Sequence, residues 1–125
     1  MENFIQILVG LAELMLFGLG AMSMFAPKKM LKNFAVEPLG NPGLSTVRAV
    51  IGGLFMGGVA MLILGFLGGQ TLWYLAVAIL LGAVALGRVI GFLFDGFDKA
   101  VVPGLIVELV MVTIFVTAHM QLGIA

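Results

Sequence analysis

The sequence contains no cysteine and a single histidine. Without cysteine there is no disulfide framework, no thiolate metal site and no cysteine nucleophile. The one histidine, His119, leaves no His-rich metal constellation, and its place near the end of the fourth apolar stretch puts it at the outer interface. The only serines, Ser23 and Ser45, have no histidine near them in the chain. A hydrolase or transferase needs a nucleophile or base beside an oxyanion-stabilising group. No enzymatic activity, cofactor or metal is therefore expected. Charge is scarce too, at 10% of residues, with six Lys/Arg balanced by six Asp/Glu. A soluble domain carries about 25%. A net charge of zero leaves no basic footprint for nucleic acid.

What the chain has in abundance is apolar side chain, 62% of its 125 residues, with 18 Gly, 10 Phe and 9 Met. In water, so apolar a chain of this length would lack the polar groups to cover its surface. Disordered chains have the opposite composition. The sequence reads as an integral membrane protein in contact with membrane lipids, its Met and Phe chiefly filling lipid-facing positions.

A membrane-spanning helix needs about 20 mostly apolar residues. Four stretches meet this: Phe4–Phe25, Ala49–Gly68 (or from Thr46), Leu72–Phe94 and Val101–Met120. Gly69, Gln70 and Thr71 make a tight turn between the second and third, and Asp95–Ala100 links the third and fourth. The spacing predicts an all-α fold, a transmembrane bundle of four antiparallel helices in one domain over residues 1–125. The loop Ala26–Ser45 carries Pro27, Pro38, Gly40, Asn41, Pro42 and Gly43, which break helices. Within it, Lys28–Phe34 is suited to a short amphipathic turn along the interface. The first span is expected to be permanent, because Glu2 precedes it without a positive charge and its apolar run is long for a cleavable signal.

Lys28, Lys29, Lys32, Arg48, Arg88 and Lys99 all fall on one side of such a bundle. Lys and Arg favour the cytoplasmic side. The expected setting is a bacterial inner membrane, with both termini and the Gly69–Thr71 turn on the outer side. Trp73 and Tyr74 then begin the third span at the outer interface, where such rings are enriched.

An ionisable residue at the centre of a span costs about 2.5–3.5 kcal/mol on insertion, so it normally faces protein or water. At 1.5 Å per residue, Arg88 lies about 9 Å deep from the cytoplasmic end of its span and Glu108 about 10 Å deep. Asp95 shares the helical face of Arg88, and Arg48 enters the second span at roughly the depth of Asp95. These four suggest a buried charge network in the cytoplasmic half. It serves either as a structural lock or as a binding site for an anionic headgroup or polar ligand. An Arg88 turned toward the surface would weaken both. Glu13 lies about 18 Å deep, near the midplane, with no cation at its level. It is expected to stay a neutral acid, since burial disfavours charge. It is either a hydrogen-bonded acid or a proton-coupled binding group. Thr113 and Thr117 are expected to bond back to helix carbonyls.

Gly53 and Gly57, like Gly87 and Gly91, have the small-xxx-small spacing that lets helices approach closely. These faces are expected to pack spans two and three together, with a homo-oligomer as the alternative.

Arg48-x-x-x-Gly52-Gly53, Gly87-Arg88-x-x-Gly91-x-x-x-Asp95-Gly96 and Pro103-x-x-x-x-Glu108 together resemble a family of small bacterial four-helix membrane proteins of unknown function, distantly similar to the DoxX-like group. The resemblance covers nearly the whole chain and implies a four-helix bundle, with no reaction attached. A second likeness is to small multidrug-resistance exporters, with four spans and a Glu near the middle of the first, here Glu13. Such a dimer would exchange protons for a lipophilic cation. The chain departs from it at Arg88 and Glu108, in the place of Trp73 and Tyr74, and in its one-sided charge. The expected role is a non-enzymatic membrane module. It binds a lipophilic small molecule, a lipid or a membrane partner through the charged pocket.

Overall fold

The computed structural model describes residues 2–122. Met1 and residues 123–125, which the expected domain includes, lie outside the described residues. Helix α1 runs over Glu2–Phe25, α2 over Pro27–Asn33, α3 over Gly40–Thr46, α4 over Gly52–Gly68, α5 over Leu72–Asp95 and α6 over Val102–Leu122. A π-helical turn, Val47–Ile51, joins α3 to α4, and a 3-10 turn, Lys99–Val101, leads into α6. No strand occurs among the described residues. Four helical stretches are long and apolar enough to cross a membrane: Glu2–Phe25, Gly40–Gly68, Leu72–Asp95 and Lys99–Leu122. Their exposed residues include Leu14, Leu54, Leu86, Phe94 and Ile106. Such extended apolar surface suits a lipid environment.

The second long helix begins nine residues before Ala49, at Gly40. Asn41-Pro42-Gly43 starts the helix where its composition suggested a break. Proline is tolerated in a first turn, where its missing N–H would have no intrahelical partner. Pro27 uses the same rule at the start of α2. At the other end of the chain, α5 stops at Gly96, whose φ of 97° an L side chain rarely adopts.

The described residues fall into two compact units, residues 10–63 and residues 2–9 with 64–122. In the first, a Cβ on Gly20 would lie 2.8 Å from Met56 Sδ, and one on Gly52 would lie 2.7 Å from Met24 Cγ. These glycines let α1 and α4 approach closely. Ala12, Leu16, Gly20 and Ser23 form the buried stripe of α1, with Ser23 Oγ donating to the Leu19 carbonyl at 2.8 Å. Helix α2 is amphipathic as expected, but its apolar residues Pro27, Met30 and Leu31 are buried in protein.

In the second unit, α5 and α6 pack along their length. Tyr74, Val77, Ala78, Leu81 and Ala85 are buried at the i, i+3, i+4, i+7 spacing of one helical face. Met111, Phe115 and Ala118 form the matching stripe on α6. In lipid, such a seam is held by close packing more than by the hydrophobic effect. Tyr74, in the first turn of α5, belongs to this seam.

Candidate functional site

Both ends of the α5–α6 seam are closed by polar contacts. At one end, Thr71 Oγ1 lies 3.1 Å from His119 Nδ1 and donates to the His119 carbonyl at 3.4 Å. Thr71 comes just before α5 and His119 near the end of α6, so the two helices run antiparallel. At the other end, Arg88 continues the buried stripe of α5 three residues beyond Ala85. Glu108 precedes Met111 by the same step on α6.

Arg88 Nε donates to both carboxylate oxygens of Glu108, at 2.8 and 2.9 Å. The guanidinium lies over Gly104, where a Cβ would come within 3.1 Å of Arg88 Cζ and Nη2. Gly104 is one turn before Glu108, and helical side chains lean toward their own N-terminus. Glu108 therefore leans toward Gly104. Arg88 leans the opposite way, because its helix is antiparallel. The ion pair joins the two charges that the count of depth along the spans placed near one level. The Arg88 head turns to Glu108.

A guanidinium has five N–H donors. Only the Nε donor is used on Glu108, and the four on Nη1 and Nη2 meet no acceptor among the described residues. The Arg88 side chain is 25% exposed and that of Glu108 12%. The site is a neutralised ion pair with spare donors at the edge of an otherwise apolar seam.

The other candidate residues fall elsewhere. Asp95 is the exposed last residue of α5 and enters no ion pair among the described residues. Arg48 is exposed and donates through Nη1 to the Met24 carbonyl. The last carbonyls of a helix lack intrahelical partners, so the end of α1 supplies Arg48 with a local acceptor in place of a carboxylate. Glu13 is half-buried on α1, with no hydrogen bond or ion pair among the described residues. Thr113 Oγ1 donates back to Leu109 at 2.9 Å. A Cβ on Gly53, Gly57 or Gly87 would meet nothing within 4 Å, and one on Gly91 only Asp95 Oδ2 at 3.9 Å. The crowded glycines are Gly20, Gly43, Gly52, Gly65 and Gly104.

Three features escaped the sequence reading. Gly104 adjoins Pro103 of the quoted motif, but a lone glycine in a span carries little signal. Thr71 was placed in a turn, away from any helix face that would meet His119. The π turn at Val47–Ile51, a device frequent at functional sites, has no compositional signature.

No curated protein and no solved structure matches this chain. One family model does, over residues 4–119, described as a domain of unknown function, DUF4345. That stretch takes in all four membrane-compatible helices but for their outermost residues, together with Arg88, Glu108 and Gly104, and the chain belongs to the DUF4345 family.

Proposed function

We propose that this protein is a non-enzymatic membrane module that binds a lipophilic molecule at the Arg88–Glu108 pair. The observation that carries this reading is the unused side of the Arg88 guanidinium, four N–H donors without a protein acceptor. A pair serving only to lock two helices is best made as a fork, two parallel N–H bonds to the two oxygens. Here one N–H is shared between both oxygens, and the Nη side is left over. The Arg88 side chain is 25% exposed, and donors facing lipid without a partner are costly because no water is there to bond them. The arrangement therefore suits an occupant that brings oxygen acceptors.

The charge balance narrows that occupant. Glu108 already neutralises Arg88, so a strong anion gains little there. A lipophile with carbonyl, ester or hydroxyl oxygens matches both the spare donors and the apolar surroundings. The setting that accords with the distribution of Lys and Arg is a bacterial inner membrane, with both termini on the outer side.

The test is retention of lipophiles through mild purification, read by mass spectrometry. The wild-type protein should carry a stoichiometric lipophile. The isosteric apolar double variant Arg88→Met/Glu108→Leu should lose it while remaining folded. Equal retention by both proteins would leave the pair a structural lock.

A further inference from the structure

Arg48 differs from Arg88 in one decisive respect: no carboxylate neutralises it. Its Nη1 donates to the Met24 carbonyl, and no ion pair to it occurs among the described residues. Glu37, in the loop ahead of α3, is exposed and likewise unpaired among those residues. Arg48 lines an open cleft of about 540 Å³ together with Met24, Phe25, Asn41, Leu44, Ser45 and Ala49. Asn41, Ser45 and Arg48 stand at i, i+4 and i+7, so their donors form a ladder along one helical face. Arg48 keeps its full charge and its remaining guanidinium donors there. Met24, Phe25, Leu44 and Ala49 make the rest of the lining apolar.

The adjoining helix adds charge of the same sign. Helix α2 starts two residues after Phe25, with Lys28, Lys29 and Lys32 exposed on one face. Its apolar face is already used, since Met30 is 1% and Leu31 2% exposed. The helix therefore meets its surroundings through its three lysines and Asn33. Phe25, Val36 and Leu39 are exposed before and after it. Cations beside exposed apolar side chains are the combination that a charged bilayer surface attracts.

We propose that the cleft at Arg48 seats the phosphodiester headgroup of an anionic membrane lipid, which the lysine face of α2 draws to it. The phosphate oxygens accept from Arg48, with Ser45 and Asn41 along the same ladder. The glycerol and upper acyl carbons lie on Met24, Phe25 and Leu44. This site is in a different unit from the Arg88–Glu108 pair, and neither reading depends on the other. The ligand chemistry also differs: an anion at Arg48, a neutral oxygen acceptor at Arg88.

The test uses the full chain in a non-ionic detergent, titrated with dioctanoyl-phosphatidylglycerol, dioctanoyl-phosphatidylcholine or inorganic phosphate. Native mass spectrometry and thermal melting give the readouts. The anionic lipid should bind saturably, raise the melting temperature and outcompete the zwitterionic one at least tenfold. Inorganic phosphate should not displace it at millimolar concentration. Each cation near a charged surface contributes about fivefold in affinity. Arg48→Gln should therefore weaken binding by at least that factor, and Lys28→Gln/Lys29→Gln/Lys32→Gln by more. Arg48→Gln also removes the bond to the end of α1, so Ser45→Trp supplies a second arm. It fills the cleft, leaves that bond in place and should abolish lipid binding in a protein that melts as the wild type does. Undiminished binding in Ser45→Trp and the lysine variant, or equal affinity for the two lipids, would overturn the proposal. Displacement by inorganic phosphate would overturn it in favour of a free-anion site.

Discussion

Arg88 Nε donates to both oxygens of Glu108 while the rest of the guanidinium lies over Gly104, one turn nearer the start of α6. The pair ends a seam that is apolar from Tyr74 to Ala85 on α5 and from Met111 to Ala118 on α6. Thr71 and His119 close the opposite end. Helices held at two distant points are fixed in register as well as in orientation. That rigidity would hold the free side of Arg88 in place for a ligand.

Removing one member of the pair should strand the other. Arg88→Ala and Glu108→Ala should each destabilise by about 3–5 kcal/mol, by analogy with other broken buried pairs. Arg88→Met/Glu108→Leu should recover most of that loss, because no charge is then left to desolvate. Thermal unfolding in detergent measures all three. Additive losses in the double variant would mean that the two residues do not interact.

The glycines give a contrast that needs no ligand. Gly→Ala within a helix gains up to about 1 kcal/mol in propensity. A Cβ at Gly52 would come within 2.7 Å of Met24 Cγ and 3.3 Å of its backbone nitrogen. Overpacking of that kind costs about 1–3 kcal/mol, so Gly52→Ala should be a net loss. Gly53→Ala and Gly57→Ala enter open space and should be neutral or stabilising. Unfolding midpoints would show this directly. If Gly53 or Gly57 proved the sensitive one, a partner helix covers that face.

This contrast also marks where sequence reasoning reached its limit. The four spans were legible because each is an apolar run of at least 20 residues between polar links. Arg88 and Glu108 were legible because depth can be counted from the short link they share. The glycine spacing was legible as a pattern, but which glycine meets a neighbour depends on helix rotation. Gly52, one residue from the expected Gly53, makes the close approach. Asp95 was grouped with the pair by its face, yet α5 ends there at Gly96 and leaves it exposed. Arg48 was grouped by depth, and the open carbonyl end of α1 supplied a nearer acceptor.

The proposed orientation rests on the cations alone. A periplasmic-active reporter at the C-terminal end should be active, and one inserted within Lys28–Asn33 inactive, since Lys and Arg stay on the cytoplasmic side. A cytoplasmic C-terminal end would reverse the assignment. Equal activity at both positions would indicate dual topology and revive the proton-coupled exporter built on Glu13.

The most direct measurement of the central claim is an experimental density map of the protein in native lipid, read at the Nη side of Arg88 above Gly104. The account predicts an ordered molecule there with an oxygen about 2.7–3.2 Å from Nη1 or Nη2, its apolar body along α5 and α6. Hydrocarbon chains alone beside the guanidinium, with no acceptor in reach, would contradict it and leave Arg88 and Glu108 a lock between two helices.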